Sequence, residues 1–228
     1  MTQQIELTDE LKVELVDFMG KDLTVVNAAR VSLNQHSDEW SEKEAGLVSF
    51  LMKNKHASPF EHCQASFLIT APIFVAREWH RHRTQSYNEV SGRYTQMLPN
   101  FYAPGYDRPL VQVGKPGAYH FEVPEDGTKH LKVLSRFRYA AQTCWNEYEE
   151  MLDDGIAKEV ARMVLPLNLY TSWYATGNLR NWMGFLALRT DGQAMYEIRQ
   201  LAFQTEGLLT GLFGATMAEW DKNGREHI

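Results

Sequence analysis

The stretch HCQASFLITAPIFVAREWHRHR, residues 62–83, combines the two patterns on which the fold depends. In its first half, apolar residues alternate with others, which predicts a half-buried strand. The face expected to be buried carries Cys63, Ala65, Phe67 and Ile69. Pro72 then stands where a first helical turn tolerates proline, and the residues up to Arg83 favour a helix. A strand is therefore predicted to lead directly into a helix that ends in a basic cluster.

Working outward from this stretch, strands are predicted early in the chain and helices late. Further strands are expected at LKVELVDFMG (11–20) and LNLYTSWYAT (167–176), and RYTQM (93–97) is a further candidate. Helices are expected over 23–32, from the Ser41/Glu44 capping box to about 54, over 128–154 and 157–165, and in runs starting near 178 and 193. This order favours an α+β fold with a single mixed or antiparallel sheet flanked by long helices.

The whole chain, residues 1–228, is expected to form a single catalytic domain. No repeat, low-complexity tract or Gly/Ser linker divides it. The turn-rich segment PNFYAPGYDRPLVQVGKPG, residues 99–117, is interpreted as a long excursion within that domain.

The chain has a globular but acidic composition, with 44% hydrophobic residues and a formal net charge of -6. Because an acidic molecule repels nucleic acid and anionic membranes, a local basic cluster must bind any anion. No signal peptide or membrane-spanning run is recognisable, which favours the cytoplasm. Cys63 and Cys144 have no CxxC partner, so reduced core thiols are predicted, and no metal site. GxGxxG and P-loop patterns are absent.

Four of the thirteen arginines lie between positions 77 and 93, with no lysine among them. They are Arg77, Arg81, Arg83 and Arg93. A guanidinium binds phosphate through two parallel hydrogen bonds, whereas lysine suffices for solubility. The simpler alternative is a solvated basic helix end. Because short hydrogen-bonding groups and a permissive glycine follow, at Ser86, Asn88, Ser91 and Gly92, the pattern favours a loop that binds phosphate and sugar hydroxyls.

Several neighbouring residues have two interpretations. His82, between two arginines, is predicted to be neutral, and it is either a stacking or hydrogen-bonding site residue or a surface histidine. Glu89 either pairs with an arginine or accepts from a ligand. Downstream, Glu159 and Arg162 are spaced as a helix-surface pair. Arg189 follows the apolar segment NWMGFLAL and is expected to be buried, with a carboxylate or a ligand as its partner.

These residues resemble the flavin-dependent thymidylate synthases, also called thymidylate synthase-complementing proteins. The signature of that family, Arg-His-Arg followed after seven residues by Ser, occurs here within RHRTQSYNEVSGRY, residues 81–94. Further similar blocks are VNAARVS (26–32), HASPFEH (56–62), APIFVAREW (71–79), EVARMVLPLNLYT (159–171) and LALRTDGQAMYEIR (186–199). The resemblance covers most of the chain except about 103–130 and the C-terminal tail.

The resemblance implies an FAD-dependent methyltransferase of dTMP biosynthesis, a flavoprotein that converts dUMP to dTMP. Its carbon donor would be 5,10-methylenetetrahydrofolate, released as tetrahydrofolate, and its reductant NADPH. It also implies the fold of that family and a homotetramer with four sites between subunits, and no nucleic-acid or membrane partner. The implied FAD contacts are Ser58, Arg81, His82, Arg83, Glu89, Asn178 and Arg180. The implied dUMP contacts are Glu78, Arg81, Glu89, Ser91, Gly92, Arg93, Arg162 and Arg189.

Within this resemblance, Arg189 would stabilise negative charge on the uracil ring and so activate it. Ser91 would bind substrate, because the reduced flavin supplies hydride and no protein nucleophile is required. Two positions depart from the family pattern. Glu78 replaces a usual glutamine, and an acid there requires a protonated state or an arginine partner; Gly184 replaces an asparagine or histidine and offers no side chain to the flavin.

Other functions remain open from the residues alone. One alternative is a nucleotide- or RNA-binding module that uses the same arginines without catalysis. Another is a flavin reductase that has lost methyl transfer. His56 and Tyr94 are candidates for moving the pyrimidine proton.

Overall fold

The computed structural model describes residues 3–115, 118–226 and 228. The strands are β1 (Glu6–Thr8), β2 (Lys12–Met19), β3 (Gln64–Pro72), β4 (Ser86–Glu89), β5 (Asn100–Tyr102), β6 (Val111–Lys115), β7 (Ala118–Glu122) and β8 (Tyr170–Asn178). The α-helices are α1 (Asp22–Arg30), α2 (Glu42–Lys53), α3 (Ile73–Trp79), α4 (Gly127–Asp153), α5 (Lys158–Ala161), α6 (Leu179–Arg189), α7 (Tyr196–Leu212) and α8 (Gly214–Lys222). Short 3-10 helices cover Val31–Leu33, Ser58–His62 and Arg162–Val164.

The predicted α+β class is confirmed. In the described residues, β2, β3, β8 and β4 form a four-stranded sheet in that order, while β1–β5 and β6–β7 form separate pairs. The strands are thus distributed over three sheets, whereas the sequence predicts one. The additional pairs are built from strands of only three to five residues, too short to produce a clear alternation. β6 of the hairpin β6–β7 lies in the turn-rich excursion and β7 follows it, while residues 116 and 117 lie outside the described residues.

The described residues group into two compact units. The first unit contains the residues up to Glu10, Ala71–Ala76 and those of Val90–Thr171. The second unit contains Leu11–Thr70, Arg77–Glu89 and those of Ser172–Ile228. The expectation of one catalytic domain stays a prediction.

The core of the second unit forms between its sheet and α6. As predicted, alternate residues of β3 are buried, including Ala65 and Phe67. Helix α6 is apolar on the face that it turns to the sheet, and its Trp182 packs edge-on against Phe67 with 4.9 Å between ring centroids. The indole Nε1 of Trp182 also donates to the carbonyl oxygen of Ala65 at 3.1 Å. These contacts fix α6, and with it the position of Arg189 at its end.

The core of the first unit forms around the long helix α4. Asp126 caps this helix by accepting a hydrogen bond from the amide of Thr128 at 2.8 Å. The buried cluster on its inner face consists of Ile5, Phe101, Ala141, Trp145, Tyr148, Ala161 and Leu169. The Tyr148 hydroxyl accepts from the backbone amide of Met97 at 3.0 Å, which holds the turn that follows Arg93.

Two local predictions around the basic cluster are wrong. The helix ends at Trp79 instead of continuing to Arg83, and the next strand is β4, not RYTQM at 93–97. The cause is tertiary, because the Tyr87 hydroxyl donates to the carbonyl oxygen of His82 at 2.7 Å and folds the chain back. β4 then pairs antiparallel with β8 over four residues, an edge pairing that outweighs local propensity.

No helix in the described part of the chain is both long and apolar enough to cross a membrane.

Candidate active site

Arg189, the last residue of α6, is held by two side chains of the second unit. Its Nε donates to Nε2 of His82 at 2.9 Å, and its Nη1 donates to Oε1 of Glu78 in an ion pair. The arginine side chain is 20% exposed and the glutamate side chain 27%. Arg189 is thus half-buried where the sequence predicts burial, and it has the expected carboxylate partner. Its Nη2 has no hydrogen-bond partner within the described residues and can donate to a ligand.

His82 is neutral and has a defined tautomer. Burial, followed by the positive charge of Arg189, lowers the pKa of His82 to about 4. Because arginine has no acceptor, Nε2 of His82 must accept, and the ring proton resides on Nδ1. The ring also packs edge-on against Phe185, with centroids 4.9 Å apart. The direction of this pKa shift agrees with the predicted neutral state, but its causes are burial and Arg189, whereas the sequence attributed it to the flanking arginines.

The loop that carries His82 is closed by a buried hydrogen-bond network. Trp79 Nε1 donates to Gln85 Oε1 at 3.1 Å, and the Tyr87 hydroxyl lies 3.2 Å from the same oxygen. Trp79 itself packs on Phe185 at 4.3 Å. Burial raises the pKa of Tyr87. Sequence reasoning missed Gln85 and Tyr87, although both lie inside the signature block.

Arg81 and Arg83 flank His82 on this loop, and both side chains are exposed. Neither guanidinium has a partner among the described residues. Glu89 ends β4, opposite Trp173 of β8, and is also exposed. Burial lowers the pKa of His80, an effect that the charge of Glu89 partly opposes. The loop thus presents two unpartnered guanidinium groups next to a neutral imidazole, an arrangement suited to an anionic ligand.

The remaining cofactor candidates of the second unit have structural contacts of their own. Asn178 caps α6 by accepting from the amide of Asn181 at 2.9 Å. Arg180 pairs with Glu61 at 2.6 Å and donates through Nε to the carbonyl oxygen of Ile228 at 2.9 Å. Ser58 is exposed at the start of its 3-10 helix. Sequence reasoning missed Glu61, although it lies in HASPFEH, one of the blocks that carry the resemblance.

In the first unit, Arg93 is held by a carboxylate from α5. Its Nε lies 2.8 Å from Oε2 of Glu159, and both side chains are about half exposed, at 54% and 51%. The prediction that Glu159 pairs with Arg162 is therefore wrong, because Glu159 instead reaches the turn that follows Ser91. The Ser91 hydroxyl accepts from the amide of Arg93 at 3.3 Å.

Gly92 and Arg162 lie against each other in the first unit. A side chain at Gly92 would bring its Cβ within 2.9 Å of the Met97 sulfur and 3.0 Å of Cδ of Arg162. Glycine therefore permits the turn to pack closely on the stem of Arg162. The guanidinium of Arg162 is exposed and has no partner within the described ranges.

Other candidates occupy varied environments. Gly184 is buried in α6, which agrees with the prediction that it offers no side-chain contact. His56 packs edge-on on Phe50 at 5.8 Å, and Tyr94 is 77% exposed. Cys63 is a buried free thiol whose pKa burial raises to about 11, and Cys144 is also free. The described residues contain no group of three or more His, Cys, Asp or Glu that could hold a metal ion.

Comparisons with known proteins give one consistent result. Residues 14–210 match the family model described as thymidylate synthase complementing protein. The flavin-dependent thymidylate synthase of Tropheryma whipplei (strain TW08/27) is 43% identical over 95% of this chain and 94% of its own. That of Thermotoga neapolitana is 46% identical over 87% and 85%.

Among solved structures, a UMP/dUMP methylase PolB from Streptomyces cacaoi, bound with 5-Br UMP, superposes with a TM-score of 0.92 at 40% identity. The match covers 99% of this chain and 100% of that one. The residues matched by the family model include Arg81–Arg83, Ser91 and Arg189. The chain belongs to the thymidylate synthase complementing protein family, the family of the flavin-dependent thymidylate synthases.

Proposed function

We propose that the protein methylates dUMP to dTMP, with 5,10-methylenetetrahydrofolate as carbon donor and NADPH as reductant through bound FAD, and releases tetrahydrofolate. The names of the two relatives support thymidylate synthesis with a flavin. The name of the solved methylase supports a uridine nucleotide as the methyl acceptor.

One observation carries the proposal. Arg189 is hydrogen-bonded through Nε and Nη1, while its Nη2 is unbonded. Its partner His82 lies on the loop that also bears the unpartnered Arg81 and Arg83. A structural arginine normally has all its donors engaged or solvated at the surface. A half-buried arginine whose Nη2 is unbonded, next to two exposed guanidinium groups, is arranged for an anionic ligand.

The residues proposed to hold FAD are Ser58, Arg81, His82, Arg83, Glu89, Asn178 and Arg180. They fit the group, because the two unpartnered guanidinium groups match its pyrophosphate and the neutral imidazole of His82 can hydrogen-bond through Nδ1. Arg180 retains an unbonded Nη2 beside its contacts to Glu61 and Ile228. Bound FAD would supply the hydride chemistry and take its electrons from NADPH.

The nucleotide would be bound through its phosphate, sugar and ring. We assign phosphate and sugar contacts to Ser91, Gly92, Arg93 and Arg162, with Arg81 and Glu89 also in contact with dUMP. The unpartnered guanidinium of Arg162 supports this assignment. So does the exposed ion pair of Arg93 with Glu159, because a phosphate dianion can replace Glu159 as the partner of Arg93 at low cost. Glu78 is assigned to the same set because it occupies the position where the family usually has glutamine.

Arg189 would be the catalytic residue. Its free donor would stabilise negative charge that develops on the uracil ring, an effect that is strong where water is partly excluded. Ser91 would hydrogen-bond substrate and would not attack it. No general base lies within hydrogen-bond distance of its hydroxyl among the described contacts.

The proposal extends to the oligomeric state of the protein and to its location in the cell. We expect a homotetramer with sites between subunits, built from one catalytic domain per chain, in the cytoplasm.

The experiment is an assay of labelled dUMP with NADPH, in the presence and absence of methylenetetrahydrofolate. We expect a yellow protein with an oxidised-flavin spectrum and labelled dTMP only when folate is present. A colourless protein that also ignores added FAD would overturn the proposal. NADPH oxidation without dTMP would identify a flavin reductase, and salt-sensitive oligonucleotide binding without NADPH oxidation would identify a binding module.

A further inference from the structure

The contacts of Arg189 constrain it more tightly than a single ion pair would. A planar guanidinium that is bonded through one nitrogen can swivel about that bond. Here two different nitrogens are bonded to two acceptors, Nε to His82 and Nη1 to Glu78. Two such contacts fix both the position and the rotation of the plane.

The contact with Glu78 has a consequence when an anionic ligand binds. If Nε were the only hydrogen-bonded nitrogen, the guanidinium of Arg189 could turn towards the phosphate dianion of a nucleotide. The Glu78 oxygen that accepts from Nη1 opposes that turn.

We propose that Glu78 is a positioning residue that acts through Arg189, holding the guanidinium so that Nη2 meets the pyrimidine ring instead of the phosphate. This inference rests on the proposed function and deepens it, since it reassigns Glu78 from substrate contact to support of the catalytic arginine. The essential property of Glu78 is then an oxygen acceptor at the position of Oε1.

The test compares two substitutions of equal charge and similar size. In Glu78→Gln an amide oxygen can still accept from Nη1, whereas Glu78→Met fills the same space without an acceptor. We expect kcat of E78Q to stay within about three-fold of the unmodified enzyme and kcat of E78M to fall about ten-fold, the effect of one hydrogen bond to a charged donor. The KM for dUMP and the FAD content should change less than about two-fold in both.

A matched control uses Glu206, which pairs with Arg225 at 2.6 Å in the same unit. The side chains of this pair are 18% and 33% exposed, close to the values for Glu78 and Arg189. Glu206→Gln and Glu206→Met should give equal kcat values. Thermal unfolding of all four variants shows whether a substitution lowers stability and does not only displace the Arg189 guanidinium. The kcat values of E78Q and E78M are compared on folded, FAD-loaded protein.

A second arm distinguishes action through Arg189 from direct contact with dUMP. In an Arg189→Gln background, single-turnover rates and calorimetric dUMP affinities of E78Q and E78M should coincide within about two-fold. A ten-fold difference that persists there would assign Glu78 to the substrate and overturn the inference. Equal kcat for E78Q and E78M with Arg189 intact would overturn it as well. If the unmodified protein makes no dTMP, the proposed function fails instead.

Discussion

The arginines of the two units are held in different ways. In the second unit, Arg189 is 20% exposed and bonded to two acceptors, Glu78 and His82. In the first unit, Arg93 is 54% exposed and its only ion pair within the described residues is with Glu159. Burial makes the contacts of Arg189 rigid and costly to break. Solvent screens the ion pair of Arg93, so a ligand can replace its carboxylate partner easily.

This difference matches the tasks that we propose. A group that must stabilise charge in a transition state is most effective when its orientation is fixed before substrate arrives. A group that binds a phosphate dianion needs only an available charge, since the ligand can replace a weak surface partner. The two arginines should therefore respond differently to substitution of themselves and of their carboxylates.

The largest effect should follow from removal of the stiffly held arginine. Arg189→Ala should lower kcat about 100-fold or more, because a preorganised donor to developing charge is lost. FAD content should stay within about two-fold, as measured by flavin absorbance after gel filtration. Arg225→Ala, which removes another half-buried ion-paired arginine of the second unit, controls for packing. A loss of FAD as large as the loss of turnover would contradict the catalytic assignment.

Removal of an unpartnered arginine should weaken ligand binding instead. Arg81→Ala and Arg83→Ala should each lower FAD affinity about ten-fold, since each loses a charge-assisted contact. Equilibrium dialysis measures the cofactor, and calorimetry should show weaker dUMP binding as well. Arg77→Ala is the matched control, because Arg77 is an exposed arginine of the same cluster with no assigned ligand. An equal loss of FAD and dUMP affinity in Arg77→Ala would mean that the effect comes from the change in net charge and not from a specific contact.

The stiff arrangement should also be sensitive to acid. His82 in the folded protein has a pKa of about 4, against an ordinary value near 6.5. Between pH 6.5 and 4 the unfolded chain binds a proton that the folded protein does not, so stability is lost as pH falls through this window. After allowance for solvent screening we expect a contribution on the order of 1 kcal/mol.

Urea unfolding at pH 7, 5.5 and 4.5 measures this contribution. The unmodified protein should lose more stability than His82→Asn, whose amide does not titrate. His36→Asn controls for an exposed histidine, with a side chain 68% exposed. Identical pH dependence in the unmodified protein and His82→Asn would show that His82 is not held neutral by folding.

The smallest effect should follow from release of the weakly held arginine. Glu159→Gln should lower the KM for dUMP about two-fold at low salt, because the phosphate no longer competes with an exposed carboxylate for Arg93. The gain should disappear at high salt, where such pairs are screened. Glu147→Gln, an exposed carboxylate on α4, is the control in the same unit. A raised KM would mean that Glu159 supports the binding of phosphate by Arg93.

Local patterns predicted much of the secondary structure. The alternation in β3, the N-cap of α2, in which the Ser41 hydroxyl accepts from the amide of Lys43, and the long helix α4 are all found. Glu44 accepts from the Ser41 hydroxyl and not from its backbone amide as in a capping box. Each of these depends on neighbours within a few residues, which a sequence shows directly. The helix end at Trp79 was missed because the chain folds back through a hydrogen bond that the Tyr87 hydroxyl donates to the carbonyl oxygen of His82.

The chemistry of the site was predicted to a similar depth. Residue types predicted an arginine-rich anion site and a neutral His82, and the departure at Glu78 indicated the need for a protonated state or an arginine partner. The identity of that partner was not predictable, and neither was that of Glu159, which pairs with Arg93 over 66 positions instead of with Arg162 three residues away.

The sequence was sufficient for the family signature, the positions of most elements and the kinds of groups that meet a ligand. The pairing of Arg189 with His82 and Glu78, over 107 and 111 positions, came from the fold. Spacing along a chain specifies contacts only within a helix or strand. Contacts between distant segments depend on how α6 packs on its sheet, so the orientation of Arg189 is a property of the packed core.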